Sequence, residues 1–212
     1  MTKKVLIPAL LTMTAVLASC GGSDPDPQAD AGTSATTATP VRDGSGTARV
    51  PVPASHPHGV VEDCSTRSWA EFGGAFTNPA NLVVGPLALV GAGRPTPAAV
   101  VTRFGGNKFP LLVRQGHIVT MQVPEGARGF AALGYGPLPQ GSLEETRFHD
   151  GHDTVTFLAC GPDEPSGSNA DGPVTFWSGF VLVRNPSCVP LDVYVDDESA
   201  PRRVEIELGA PC

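Results

Sequence analysis

The densest run of chemically capable side chains is His149-Asp150-Gly151-His152-Asp153. Imidazole and carboxylate groups are ligands for zinc, copper or nickel. A bend at Asp150-Gly151 would bring His149 and His152 together, which makes them the candidate metal ligands. A working site needs further ligands from distant strands, and His56-Pro57-His58 is one source. The same five residues also read as a polar turn entering a strand. The acidic run from Asp163 to Gly172 offers carboxylate and amide oxygens of the kind calcium takes, but without EF-hand spacing. No His-Glu-x-x-His pair, Gly-x-Ser-x-Gly elbow, Walker loop or dinucleotide fingerprint is present. Cys160 is followed by Gly161-Pro162-Asp163, with no neighbouring His or Met to make a blue-copper set. Ser178 falls inside an expected strand and faces solvent. Glu144 and Glu145 are adjacent, so on a strand they point to opposite faces and cannot share acid–base work. No catalytic residue is assigned, and a non-enzymatic protein is expected. Trp69, Trp177, Phe176 and Phe180 are expected to fill the core, because aromatics are few in this chain.

These groups need a scaffold, and the cysteines say where it sits. The chain begins with Lys3-Lys4 and then an uncharged apolar run from Val5 to Leu17. That run is shorter than the roughly 20 residues a bilayer span requires, and it fits the apolar core of a secretory signal. It ends in Leu17-Ala18-Ser19-Cys20, followed by Gly21-Gly22. This resembles the lipobox of bacterial lipoproteins. The resemblance implies a diacylglyceryl group on the Cys20 sulfur, cleavage before Cys20, and an acylated, palmitate-bearing N-terminus on the outer side of the cell membrane. No other cofactor is expected. Two or more acyl chains hold a protein stably on a membrane, each buried methylene contributing about 0.8 kcal/mol.

The remaining Cys64, Cys160, Cys188 and Cys212 are even in number and exported, so two disulfides are expected. Of the three possible pairings, Cys160–Cys188 would join the end of one strand to the start of another. Cys64–Cys212 would then tie the two ends of the domain. A net charge of −7 for the full sequence argues against nucleic acid as a partner. Loss of Lys3 and Lys4 with the leader makes the mature chain more acidic still.

The expected organisation is a signal peptide over 1–19, a lipid-anchored disordered linker over 20–58, and one folded domain over 59–212. The linker is Gly, Ser, Thr, Ala, Asp and Pro with almost no bulky apolar residue, too little to offset chain entropy. Its end-to-end distance would be about 35 Å. Val50-Pro51-Val52-Pro53 is stiffer, near polyproline II.

In the domain, residues 117–123, 191–196 and 203–208 alternate apolar and polar, the mark of a sheet with one wet face. Other strand candidates are 81–90, Ala98–Phe104, Leu111–Arg114, 129–135, 153–160 and 174–183. Pro86 suggests an edge or bulge in the first. Residues 65–72 alone look helical, with Ser68 and Glu71 as a capping box. Eight to nine short strands with regular turns predict an all-β protein, a β-sandwich of immunoglobulin-like topology first, with a jelly roll or small barrel as the second expectation. Val84-Gly85-Pro86-Leu87-Ala88, Thr156-Phe157-Leu158-Ala159-Cys160, Phe180-Val181 and Cys188-Val189-Pro190-Leu191-Asp192-Val193 resemble a group of uncharacterised exported lipoproteins of high-GC Gram-positive bacteria. That resemblance implies no activity. The expected function is a binding or interaction module at the cell envelope. Its partners are the membrane, through the lipid, and an envelope protein, polysaccharide or small ligand. The alternative is metal binding by His149 and His152.

Overall fold

The computed structural model describes residues 51–137, 145–161, 163–164, 168–169 and 172–212. Three sheets carry the fold. In the first, β1 (Val60–Glu62) and β8 (Thr154–Leu158) are followed by β6 (Ile118–Gln122), β12 (Ser187–Val195) and β13 (Arg202–Leu208) in spatial order. β1 runs parallel to β8, and every other pairing in the sheet is antiparallel. In the second, the order is β2 (Leu82–Val84), β3 (Leu87–Leu89), β5 (Leu111–Arg114), β10 (Gly172–Trp177) and β9 (Ser168–Asn169). The third is β4 (Gly106–Lys108), β11 (Phe180–Val183) and β7 (Ala131–Gly134).

The alternation in the sequence sets the faces. Val119 and Met121 of β6, Leu191, Val193 and Val195 of β12, and Ile206 and Leu208 of β13 all enter one buried cluster. Leu87, Leu111, Val113, Phe157, Trp177 and Val181 meet them from the other strands. A second cluster lies on the far side of the second sheet, where Phe72 and Phe76 cover Ala88, Leu112 and Phe176. The all-β, sandwich-like architecture is as expected. The third sheet has no counterpart in the two-sheet immunoglobulin plan.

Several local expectations are corrected. Ala98–Phe104 is a seven-residue helix, α1, and not a strand. Pro97 precedes it and Gly105 ends it at φ 73°, its N–H bonded to the Val101 carbonyl. A short apolar run does not tell helix from strand by periodicity; the Pro and Gly at its ends do. Residues 65–72 form no α-helix. A single 3-10 turn at Cys64–Thr66 is capped by Asp63, and Ser68 instead bonds to Phe176. Pro86 is not in an edge strand; Gly85-Pro86 is the turn of the β2–β3 hairpin, with Gly85 at φ 56°. The 174–183 candidate divides at Gly179 into β10 and β11, which belong to different sheets. A Cβ at Gly179 would lie 2.1 Å from the Tyr135 ring, so only glycine fits there.

All four cysteines of the domain are in disulfides, but the pairing is Cys64–Cys160 and Cys188–Cys212, not Cys160–Cys188 with Cys64–Cys212. Strand order is the reason. Cys64 follows β1 and Cys160 follows β8, and these two strands lie side by side in parallel, so their ends arrive together. Cys188 on β12 faces β13, and the chain leaving β13 reverses at Gly209 (φ 82°) to bring Cys212 back onto it.

Candidate functional site

The boundary between linker and domain lies earlier than composition placed it. The described chain from Pro51 onward belongs to the folded unit. Residues 51–59 form a strap across the outer face of the first sheet. His56 is only 3% exposed. Its Nδ1 lies 2.9 Å from Thr120 Oγ1, which lies 2.7 Å from Thr156 Oγ1. Its ring sits 5.6 Å from that of Tyr194, and its Nε2 is buried without a hydrogen-bond partner. Gly59 runs so close to β8 that a Cβ would stand 2.3 Å from the Thr154 carbonyl oxygen. The sequence signal for this strap is weak. A face of Thr120, Thr154 and Thr156 reads as wet, and a hydroxyl row looks the same whether water or a histidine covers it.

The first residues of the strap, Pro51–Ala54, form one wall of an open groove of about 560 Å³. Gly116, Ile118, Asp196 and Asp197 line the rest of it. Asp196 holds a left-handed backbone at φ 50°, a conformation Asp tolerates better than most residues. Its two carboxylate oxygens face His117 Nδ1 at 2.8 Å and the Ile118 N–H at 3.0 Å.

Neither metal-candidate histidine enters a group of three potential ligands among the described residues. His149 lies on a 3-10 turn, Phe148–Asp150, and its ring is exposed, with Nε2 3.5 Å from Asp150 Oδ1. Asp150 uses its other oxygen to accept the Arg147 N–H at 2.7 Å. His152 is fastened by backbone bonds of 2.8 Å in both directions with Leu133, and its Nε2 is buried and unpartnered. Among the described residues, the groups of three potential ligands are Cys64, Cys160 and Glu164, and Cys188, Glu205 and Cys212. Each contains a formed disulfide, whose sulfurs are not thiolate ligands, and neither contains a histidine. The 163–172 acidic run and Glu144 lie wholly or partly outside the described residues. Ser178 is exposed, as expected.

The aromatics divide. Trp177 and Phe176 are buried and Phe180 is half-buried. Trp69 is a correction: it is 63% exposed, with the Arg67 guanidinium 4.9 Å from its ring centroid. It follows the Ser68 bridge at the margin of β10, where no sheet face covers it.

An acid that sequence patterning did not single out is Glu62, 5% exposed at the end of β1. Burial pushes its carboxyl above the ordinary glutamate range, and the neighbouring Asp63 charge adds to this. The Thr66 hydroxyl bond and His152 act the other way. Trp177 Nε1 donates at 3.3 Å to both the Asp63 carbonyl and Thr66 Oγ1. Phe157 packs between Trp177 and Tyr135 with ring centroids 5.3 Å from each, perpendicular to Tyr135 and tilted against Trp177. Gly136, at φ 90°, closes over the carboxylate; a Cβ there would be 3.0 Å from Oε1. The signal available in the sequence is an acid ending a short apolar run two residues before a cysteine. As it stands, the carboxyl is sealed rather than presented to a substrate.

No family model, curated protein or solved structure matches this chain. The reading of the site therefore rests on its own geometry. Among the described residues, no helix is long and apolar enough to cross a membrane.

Proposed function

We propose that this protein is a lipoprotein of the cell envelope, held on the outer side of the membrane by acyl chains on Cys20. In this reading its sandwich domain is a non-enzymatic binding module. The observation that carries the location is the joint use of cysteine. Four cysteines pair into two disulfides, a state that persists in oxidising compartments. The fifth, Cys20, directly follows a leader of the lipobox type. The feature taken here as a binding surface is the shallow open groove beside the strap, where Asp196 is held by His117 and the Ile118 N–H. In this reading the groove takes a small ligand, a sugar unit of an envelope polysaccharide or a partner's side chain.

Mass spectrometry of protein extracted from membranes tests the location. The expected product begins at Cys20 and carries a diacylglyceryl mass on it, and Cys20→Ser releases the chain from the membrane fraction. An intact leader, or an unacylated thiol at Cys20, overturns the proposal.

A further inference from the structure

The first sheet ends at β13, the longest edge strand among the described residues at seven residues. The other edges, β1, β2, β4, β7 and β9, span two to four residues. In a strand the backbone groups of successive residues point to opposite sides, so half of an edge strand's N–H and C=O groups face outward. Here the parity is settled by two bonds. Thr96 N–H donates to the Glu207 carbonyl, and Gly209 N–H donates to the Thr96 carbonyl. The outward groups are therefore those of the odd-numbered residues. Thr96 occupies the edge at Glu207 and beyond, and β13 begins at Arg202. The outward groups of Arg203 and Glu205 lie between, and among the described residues nothing pairs with them.

We infer that this edge is a homodimerisation surface, on which a second copy of the chain pairs antiparallel through β13 about Val204. The symmetry of the open stretch carries the argument. With Val204 opposite the partner's Val204, Arg203 stands opposite the partner's Glu205, and Glu205 opposite the partner's Arg203. Those two pairs exchange all four outward N–H and C=O groups, completing the hydrogen-bonded pairs of an antiparallel ladder. Opposite charges directly across a ladder are favourable, and like charges are not. Moving the register by two residues sets Glu205 against Glu205 or Arg203 against Arg203, so the charges select one alignment. The partner strand starts after Pro201, so its chain turns away where Thr96 takes over the edge. Charged edge residues normally guard against sheet-to-sheet association; this pair guards against other strands but complements itself. Arg203 already holds Asp192 of its own chain through Nε and Nη2, at 2.8 and 2.9 Å, so Nη1 is the group left to meet the partner's carboxylate.

Val204 would face its counterpart as a non-hydrogen-bonded pair, the kind in which Cα atoms are closest, about 4.5 Å. The test uses the whole chain with Val204→Cys, mildly oxidised and run on a non-reducing gel. Val83→Cys, on an exposed position of another edge, is the control for random collision. The expected result is a dimer band several-fold stronger for Val204→Cys than for the control. In the Val204→Cys background, Glu205→Pro removes an outward N–H without touching the ladder to β12, and Glu205→Arg places like charges opposite each other. Both are expected to bring the band down to the control level. Equal bands for the two cysteine variants overturn the inference. So does a dimer band that survives both changes at Glu205.

Discussion

Removing the two disulfides separately is the sharpest test of the topology. Cys64–Cys160 closes a loop with a sequence separation of 96, and Cys188–Cys212 one of 24. In the chain-entropy treatment, stabilisation grows with the logarithm of loop length. For these separations it gives about 4.7 kcal/mol for the first and about 3.5 kcal/mol for the second. Both variants should lower the melting temperature. With roughly 2–4 °C lost per kcal/mol in a domain of this size, Cys64→Ala/Cys160→Ala is expected to fall by about 10–18 °C. Cys188→Ala/Cys212→Ala should fall less, because its loop is shorter and Cys212 is exposed. The assay is thermal unfolding followed by near-ultraviolet dichroism, with peptide mapping of the unreduced parent as the companion measurement. A larger loss from the Cys188/Cys212 variant refutes the loop argument. A mapped Cys160–Cys188 peptide refutes more: it would mean that β1 does not lie beside β8, and the first sheet would need rebuilding.

Two further outcomes follow from the core. Glu62 has a folded-state pKa raised above its unfolded value, so its contribution to stability is present below the ordinary glutamate range and is lost as pH rises through the raised value. Glu62→Gln should therefore melt higher than the parent at pH 7, with the gap closing towards pH 4; a gap that is flat or widens in acid contradicts the burial of that carboxyl. Gly179→Ala would drive a Cβ into the Tyr135 ring, whose hydroxyl is tied to the Phe109 carbonyl at 2.6 Å. Overpacking of this kind costs about 1–3 kcal/mol or more, so urea denaturation should show a loss at or beyond the upper end, and an unchanged midpoint would mean the ring is free to move.

Some of this protein was legible in the residues alone, because certain signals are local. Period-two alternation assigned the inward faces of β6, β12 and β13, since a pleated strand has only two faces and the apolar one must be covered. The oxidation of the four domain cysteines is what their even number predicts for a chain read as exported. The helix at Ala98–Phe104 reads as a strand from its apolar content, because the information that marks it as a helix lies in Pro97 and Gly105. The pairing of the cysteines, the burial of His56 under no signal but a threonine row, and the sealing of Glu62 by a glycine were decided by tertiary structure. Each depends on which strands become neighbours across long stretches of chain. Local spacing carries no record of that; it emerges only when the sheets choose their order to bury the common core.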